Sequence, residues 1–132
     1  IVVDSTDPVG PGKALFELNF YKSVYAALRK DGVAVFQLGP FLDFDLIVKG
    51  IAGKLKKLFK FVSPLRLPMP SYSSGCEYCF LLAAKTTDPA KINIKEITRR
   101  ARQRLGEKLS ALKYYSPEIH HASLIMPKIW KV

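Results

Sequence analysis

Apolar positions recur along this chain with two periods, one near two residues and one near 3.6, and the alternation between them outlines the elements. Ile1–Val3 is a short continuous apolar run, the pattern of a strand covered on both faces of a parallel sheet. Lys13–Leu18 reads as a helical turn. Phe20, Val24 and Leu28 then fall on one helical face with Tyr21 and Tyr25 beside them, which predicts a helix from an Asn19 cap to about Lys30. Asp31-Gly32 is its stop, glycine being common just past a helix. Val33–Gln37 returns to a strand pattern, broken by Gly39-Pro40. Asp43 is placed to cap a helix reaching about Lys60, with Ile47, Ile51, Leu55, Leu58 and Phe59 as its buried stripe.

Phe61–Met69 and Cys76–Ala84 read as two further strands. The short loop between them, Pro70–Gly75, predicts an antiparallel pair. Thr86–Lys91 is a polar turn. Ile94, Ile97, Ala101, Leu105 and Leu112 lie at helical spacing in a basic amphipathic helix, and Ser116-Pro117-Glu118 reads as another helix start. Strand, helix, strand, helix, strand predicts a parallel α/β core with right-handed crossovers and a last strand that folds back antiparallel.

Composition narrows the class. The chain has 132 residues, 48% of them hydrophobic, enough for one packed domain or part of one. Its opening inside an apparent buried strand leads us to expect a portion of a larger assembly. No leader or membrane span is visible, because Asp4 and Asp7 interrupt the first apolar run and Asp43, Asp45 and Lys49 the next. Two cysteines give no disulfide framework, which predicts a reducing, cytoplasmic setting. The net charge of +10 raises nucleic acid as a partner. A solvated helix face explains the run T-R-R-A-R-Q-R at 98–104 more economically, since no aromatic residues are interleaved with it as stacking platforms. Cys76 and Cys79 form a lone C-x-x-C on a strand. Residues three apart there face opposite sides, so core packing outweighs metal binding. His120 and His121 are read as packing and surface positions, and no metal site is expected.

The chemistry concentrates in D-S-T-D-P-V-G-P at Asp4–Pro11. Ligands of open α/β sheets sit beyond the carboxyl ends of the strands, so Asp4 and Asp7 are placed to meet a cation there. Taken alone, D-x-x-D before Pro-Gly is better explained by a helix-entry turn with Asx bonding, and the aligned glutamine and tyrosine reverse that preference. Gln37 ends the next predicted strand, and Tyr72 lies on the hairpin loop. If the first two strands are neighbours, Asp4 and Gln37 face one crevice.

These segments together resemble the polyamine aminopropyltransferases, above all spermidine synthase. D-S-T-D-P-V-G-P looks like that family's active-site motif, and Leu15-Phe16 with Phe20-Tyr21 continue it. D-G-V-A-V-F-Q at 31–37, D-L-I at 45–47, M-P-S-Y-S-S-G at 69–75, and L-K-Y-Y at 112–115 with His120 and Pro127 follow in order. The resemblance covers nearly the whole chain. It implies a Rossmann-like methyltransferase core of which residues 1–132 form the C-terminal half, with the small N-terminal β domain and the glycine-rich donor loop lying outside this sequence. It also implies aminopropyl transfer from decarboxylated S-adenosylmethionine to a diamine, usually putrescine, with that donor as co-substrate and no resident cofactor. A homo-oligomer, dimer or tetramer, is implied as well.

The resemblance assigns roles residue by residue. Asp4 matches the proton acceptor and Asp7 a second acid that binds the diamine. Gln37 and Tyr72 match positions that hydrogen-bond amines. Pro11 and Leu15 match positions flanking the donor's adenine, and Ser5 is a weaker donor contact. An alkyl amine titrates near pH ~10, so only about one part in a thousand is neutral at pH 7. The site must bind the cation and remove its proton. Enclosure, or the like charge of Asp7, is expected to make Asp4 a better base. Two departures border the acceptor pocket. Ser73 follows Tyr72 where the family often has proline, and L-G-P-F-L after Gln37 is less polar and less aromatic than in common spermidine synthases. They leave putrescine, agmatine, cadaverine and longer polyamines open as acceptors. The competing readings are a methyltransferase of the same fold, which typically carries an N-P-P-Y-like motif at that strand tip, and a basic nucleic-acid-binding module.

Overall fold

The computed structural model describes residues 1–5, 7–40, 47–69 and 77–130. Four strands form one sheet: β1 (Val2–Val3), β2 (Val33–Pro40), β3 (Phe61–Pro68) and β4 (Glu77–Ala84). Their spatial order is β1-β2-β4-β3. β1 runs parallel to β2, while β4 is antiparallel to both β2 and β3. β1, β2 and β3 therefore share one direction, and β4 alone is reversed, as the short loop predicts. Its insertion between β2 and β3 is a feature of the fold that no local pattern announces.

Helix α1 (Leu18–Ala27) links β1 to β2, and α2 (Lys49–Lys56) links β2 to β3. Both crossovers step across the sheet in the same direction. Right-handed connections of that kind put both helices on one face. The core agrees: Tyr21, Val24 and Leu28 from the α1 side and Ile51, Ala52 and Leu55 from α2 pack with Ala34, Phe36, Cys79, Leu81 and Ala83. Tyr21 meets Phe36 edge-on at a centroid distance of 5.5 Å. Burial pushes the Cys79 thiol up to about 12, so it behaves as an apolar core side chain. Leu82 and Ala84 alternate to the other face and are buried outside that cluster, as are Ile97 and Ala101 of α3 (Ile94–Leu105).

Several helix ends differ from expectation. Glu17, not Asn19, holds the N-cap position of α1 and makes no side-chain cap bond. Starting the helix there brings Tyr21 and Val24 onto the sheet, and burial of those two outweighs a cap worth about 1 kcal/mol. The helix also stops at Ala27 rather than near Lys30, because Leu28 turns extended and tucks into the core. The freed carbonyls find partners beyond β4: Lys85 donates to Leu28 O and Thr86 to Lys30 O. Lys85 also sits 4.3 Å over the Tyr25 ring. Ile47 and Val48 are already helical ahead of α2, and the expected start of that helix at the Asp43 cap lies outside the described residues. Lys13–Leu18 is in fact a 3-10 segment, Gly10–Phe16, whose last carbonyl accepts from Lys54 Nζ at 2.8 Å. α3 ends at Gly106, whose φ of +53° suits glycine, so Leu112 lies outside it and is exposed. The short helix α4 (Lys108–Ala111) follows. Helix α5 (Pro117–Ser123) starts as predicted, with Ser116 accepting from Ile119 N and Pro117 in the first turn.

β2 carries a bulge. Gln37 pairs with Phe80 and Gly39 with Cys79, leaving Leu38 as an extra residue, and Gly39 has φ +102°. An L side chain at that φ is strained, so Gly39→Ala is expected to lower stability by about 1–3 kcal/mol, measured by denaturant unfolding. The second prediction concerns His120, whose Nδ1 shares a hydrogen bond with Tyr115 Oη at 3.1 Å. Burial, then the neighbouring His121, hold the His120 pKa below its ordinary 6.5. The unfolded chain therefore binds more protons just below pH 6.5, so this contribution to stability is complete above that value and is lost as pH falls through the folded pKa. Melting curves from pH 8 to pH 5 are expected to show this loss in the native chain and less of it in His120→Gln.

Candidate active site

Parallel pairing builds the candidate site. Val2 aligns with Val35 and Val3 with Phe36, and the pairing ends there. Val3 and Phe36 both pack on the core face. Within β2, alternation sends Gln37 toward the opposite side. Asp4 follows Val3 directly, so both residues adjoin the last β1–β2 pair.

β3 runs with β1 and β2, so its last residue, Pro68, lies at that same carboxyl edge. The loop that leaves it re-enters the sheet at Glu77, beside β2. Tyr72 belongs to that loop and lies outside the described residues, as does Cys76. Asp7 follows Asp4 in a turn where Val9 N donates to Asp7 O at 2.7 Å. Pro11 and Leu15 lie on the 3-10 segment that leads into α1. Ser5 and Leu15 are half-buried, and Pro11 is exposed.

Among the described residues Asp4 and Asp7 are both exposed, whereas Gln37 is half-buried. β1 is also an edge strand, and Val2 stands 78% exposed on it. A side chain read as buried is thus left bare beside the acid.

Other charged groups occupy the far end of the chain. Arg99 and Arg100 on α3 both hold Glu96, at 2.7 and 2.6 Å, and their hydrogen bonds pull its carboxyl down to about 2. They are exposed, as a solvated helix face requires. Among the described residues no three His, Cys, Asp or Glu side chains cluster in a way that holds a metal ion. None of the described helices is long and apolar enough to cross a membrane.

Sequence reasoning missed Arg66 and Glu77. Arg66 Nη1 reaches both Glu77 carboxylate oxygens, at 2.8 and 3.0 Å, and its Nε donates to Ile125 O at 3.0 Å. Tyr114 Oη donates to Pro68 O at 3.3 Å. The signal was present in the hairpin register: residues 66 and 77 are diagonal neighbours on one face once Pro68 pairs with Glu77.

Comparison with known proteins agrees with this arrangement. Residues 1–95 match the model of the spermine/spermidine synthase domain. A polyamine aminopropyltransferase of Thermoanaerobacter sp. (strain X514) is 38% identical over 99% of this chain and 43% of its own length. One from Methanocaldococcus jannaschii is 40% identical, again over 99% and 43%. A spermidine synthase crystallised with the transition-state analogue AdoDATO superposes with a TM-score of 0.77 at 30% identity, covering 97% of this chain and 42% of that one. The spermidine synthase of Thermotoga maritima gives a TM-score of 0.72, also at 30% identity, over 97% and 41%. The chain therefore spans less than half the length of these relatives, and its fold is that of part of a Rossmann-like methyltransferase core. With the family model covering most of its length and its sheet matching the solved structures, this chain belongs to the spermine/spermidine synthase family.

Proposed function

We propose that the polypeptide carrying this chain transfers an aminopropyl group from decarboxylated S-adenosylmethionine to a diamine, putrescine first among them, giving spermidine and methylthioadenosine. The observation that carries this reading is the position of Asp4 and Gln37, each directly after a residue of the last β1–β2 pair, in a chain that matches the family's model. The relatives' name, polyamine aminopropyltransferase, and the activity of the superposed spermidine synthase support it.

In the reaction, the reacting ammonium gives up one proton to Asp4 as its nitrogen attacks the carbon beside the sulfonium. A nitrogen–carbon bond forms, the carbon–sulfur bond breaks, and its electron pair leaves sulfur neutral in methylthioadenosine, the positive charge passing to the new secondary ammonium of the product. Asp7 draws the diamine in as a cation. Gln37 and Tyr72 hydrogen-bond its amine groups, with the Tyr72 ring against the methylene chain. Pro11 and Leu15 flank the adenine, and Ser5 lies near the donor. Orientation of the amine contributes alongside basicity.

We assign residues 1–132 to the C-terminal half of a catalytic domain, the donor loop and the N-terminal β domain coming from the portion of the relatives that this chain does not match. The exposed edge of β1 supports that assignment, since a further strand there covers Val2 and closes the space above Asp4. The reading includes a homo-oligomer, a cytoplasmic setting and no resident cofactor.

The test joins this chain to its own upstream sequence, or to the N-terminal portion of a relative. Spermidine is expected from putrescine and the decarboxylated donor, measured by chromatography of the polyamines. Asp4→Asn is expected to lower kcat by about 100-fold or more. A near-native rate for Asp4→Asn removes it as the base, and methyl transfer from S-adenosylmethionine in place of aminopropyl transfer overturns the reading.

A further inference from the structure

We propose that Lys54 is a positioning residue for the donor side of the site, an inference that rests on the transferase reading above. Lys54 lies on α2, and its Nζ donates to Phe16 O at 2.8 Å, a contact between residues 38 positions apart. Phe16 ends the 3-10 segment Gly10–Phe16, which carries both donor positions, Pro11 and Leu15.

Burial sets Lys54 apart from the lysines around it. Lys49, Lys56, Lys57 and Lys60 are exposed, whereas Lys54 is half-buried. Ile51 and Leu58, three residues before and four after, flank it on the helix surface, and both belong to or pack on the main core. A lysine stem lies along such an apolar stripe while its Nζ reaches a polar group beyond it. Phe16 packs against the same core.

The 3-10 segment has little else to hold it. Bonds of that helix type are poorly aligned, and runs beyond about four residues are uncommon. This run has seven. Its backbone bonds are local, from Gly12 N to Val9 O and from Glu17 N to Ala14 O. The ladder of α1 starts one residue past Phe16, with Tyr21 N donating to Glu17 O, and leaves the Phe16 carbonyl to Lys54. Among the described residues, this bond is the one polar contact that ties the segment to a distant element.

The location decides which substrate feels the loss. Leu15 stands one residue before the tethered carbonyl, and Pro11 is in the first turn of the same segment. Asp4 and Gln37 instead adjoin the β1–β2 pair, whose own bond from Val35 N to Ile1 O is untouched by Lys54. Asp7 lies on the β1 side of Gly10, ahead of the segment. Releasing Phe16 O therefore loosens the residues that flank the adenine and leaves the acceptor groups where the sheet holds them.

The experiment uses the full-length active polypeptide with Lys54→Met, Lys54→Arg and, as a control on the same helix, Lys56→Met. Lys54→Met is expected to raise the KM of the decarboxylated donor about fivefold, the range of one hydrogen bond, with the putrescine KM within about twofold of native. Lys54→Arg keeps a cationic donor on a long stem and is expected to recover part of the loss. Lys56→Met removes an exposed charge and is expected to change neither KM. If Lys54→Met fails to fold, Lys54→Gln, which stays polar but is one atom shorter, is measured in its place with the same expectation. A donor KM within about twofold of native, an equal rise for both substrates, or an equal effect of Lys56→Met overturns the positioning role. Absence of aminopropyl transfer in the unaltered polypeptide instead overturns the reading on which it rests.

Discussion

The parallel pairing of β1 with β2 is the constraint on which the candidate site depends. It is only two residues long, Val2 with Val35 and Val3 with Phe36, and hydrogen bonds from Val35 N to Ile1 O and from Ile1 N to Val33 O hold its start. What fixes its register is burial. Phe36 is 2% exposed against Tyr21, so a slip of one residue would turn β2 inside out. With Phe36 held inward, Gln37 is driven to the other side, and Asp4 follows Val3, the partner of Phe36. The apolar core thus fixes the strand pair that both polar residues adjoin.

The sequence made much of this legible because the strands are short apolar runs between strong breakers. Phe61–Pro68 and Glu77–Ala84 lie within a residue of the limits read from pattern alone. Ser116 and Pro117 announced α5 through local chemistry, a side-chain acceptor followed by a residue that needs no donor. The failures share a cause. Asn19 looked like a cap and Lys30 like a helix end, but long-range contacts decide both boundaries: Tyr21 and Leu28 are pulled into the core, and Lys85 and Thr86 from beyond β4 take up the carbonyls. Propensity is a weak prior wherever such burial competes with it. The insertion of β4 between β2 and β3 is likewise a long-range choice, invisible in any window of residues.

The charge distribution follows a similar division. A chain with net charge +10 is a poor match for cationic ligands if charge acts as an average. It does not, because water and salt screen separated exposed charges within about 8–10 Å. The arginines of α3 face solvent and neutralise Glu96 on their own helix. The Arg66 cation is matched by Glu77. Asp4 and Asp7 remain as carboxylates three positions apart at the strand edge, so the local field there is acidic within a basic chain.

Exposure of those two acids and exposure of Val2 belong to one structural fact. Val2 lies on β1, the edge strand among the described residues, and Asp4 and Asp7 follow that strand. A carboxylate in open water is a weak base and a weak ligand for an amine, because solvent competes for both roles. In the proposed transferase, a segment packed against β1 would therefore do two things at once: cover Val2, and exclude water from the side of Asp4. In the reading proposed here, assembling the sheet and activating the base are a single event.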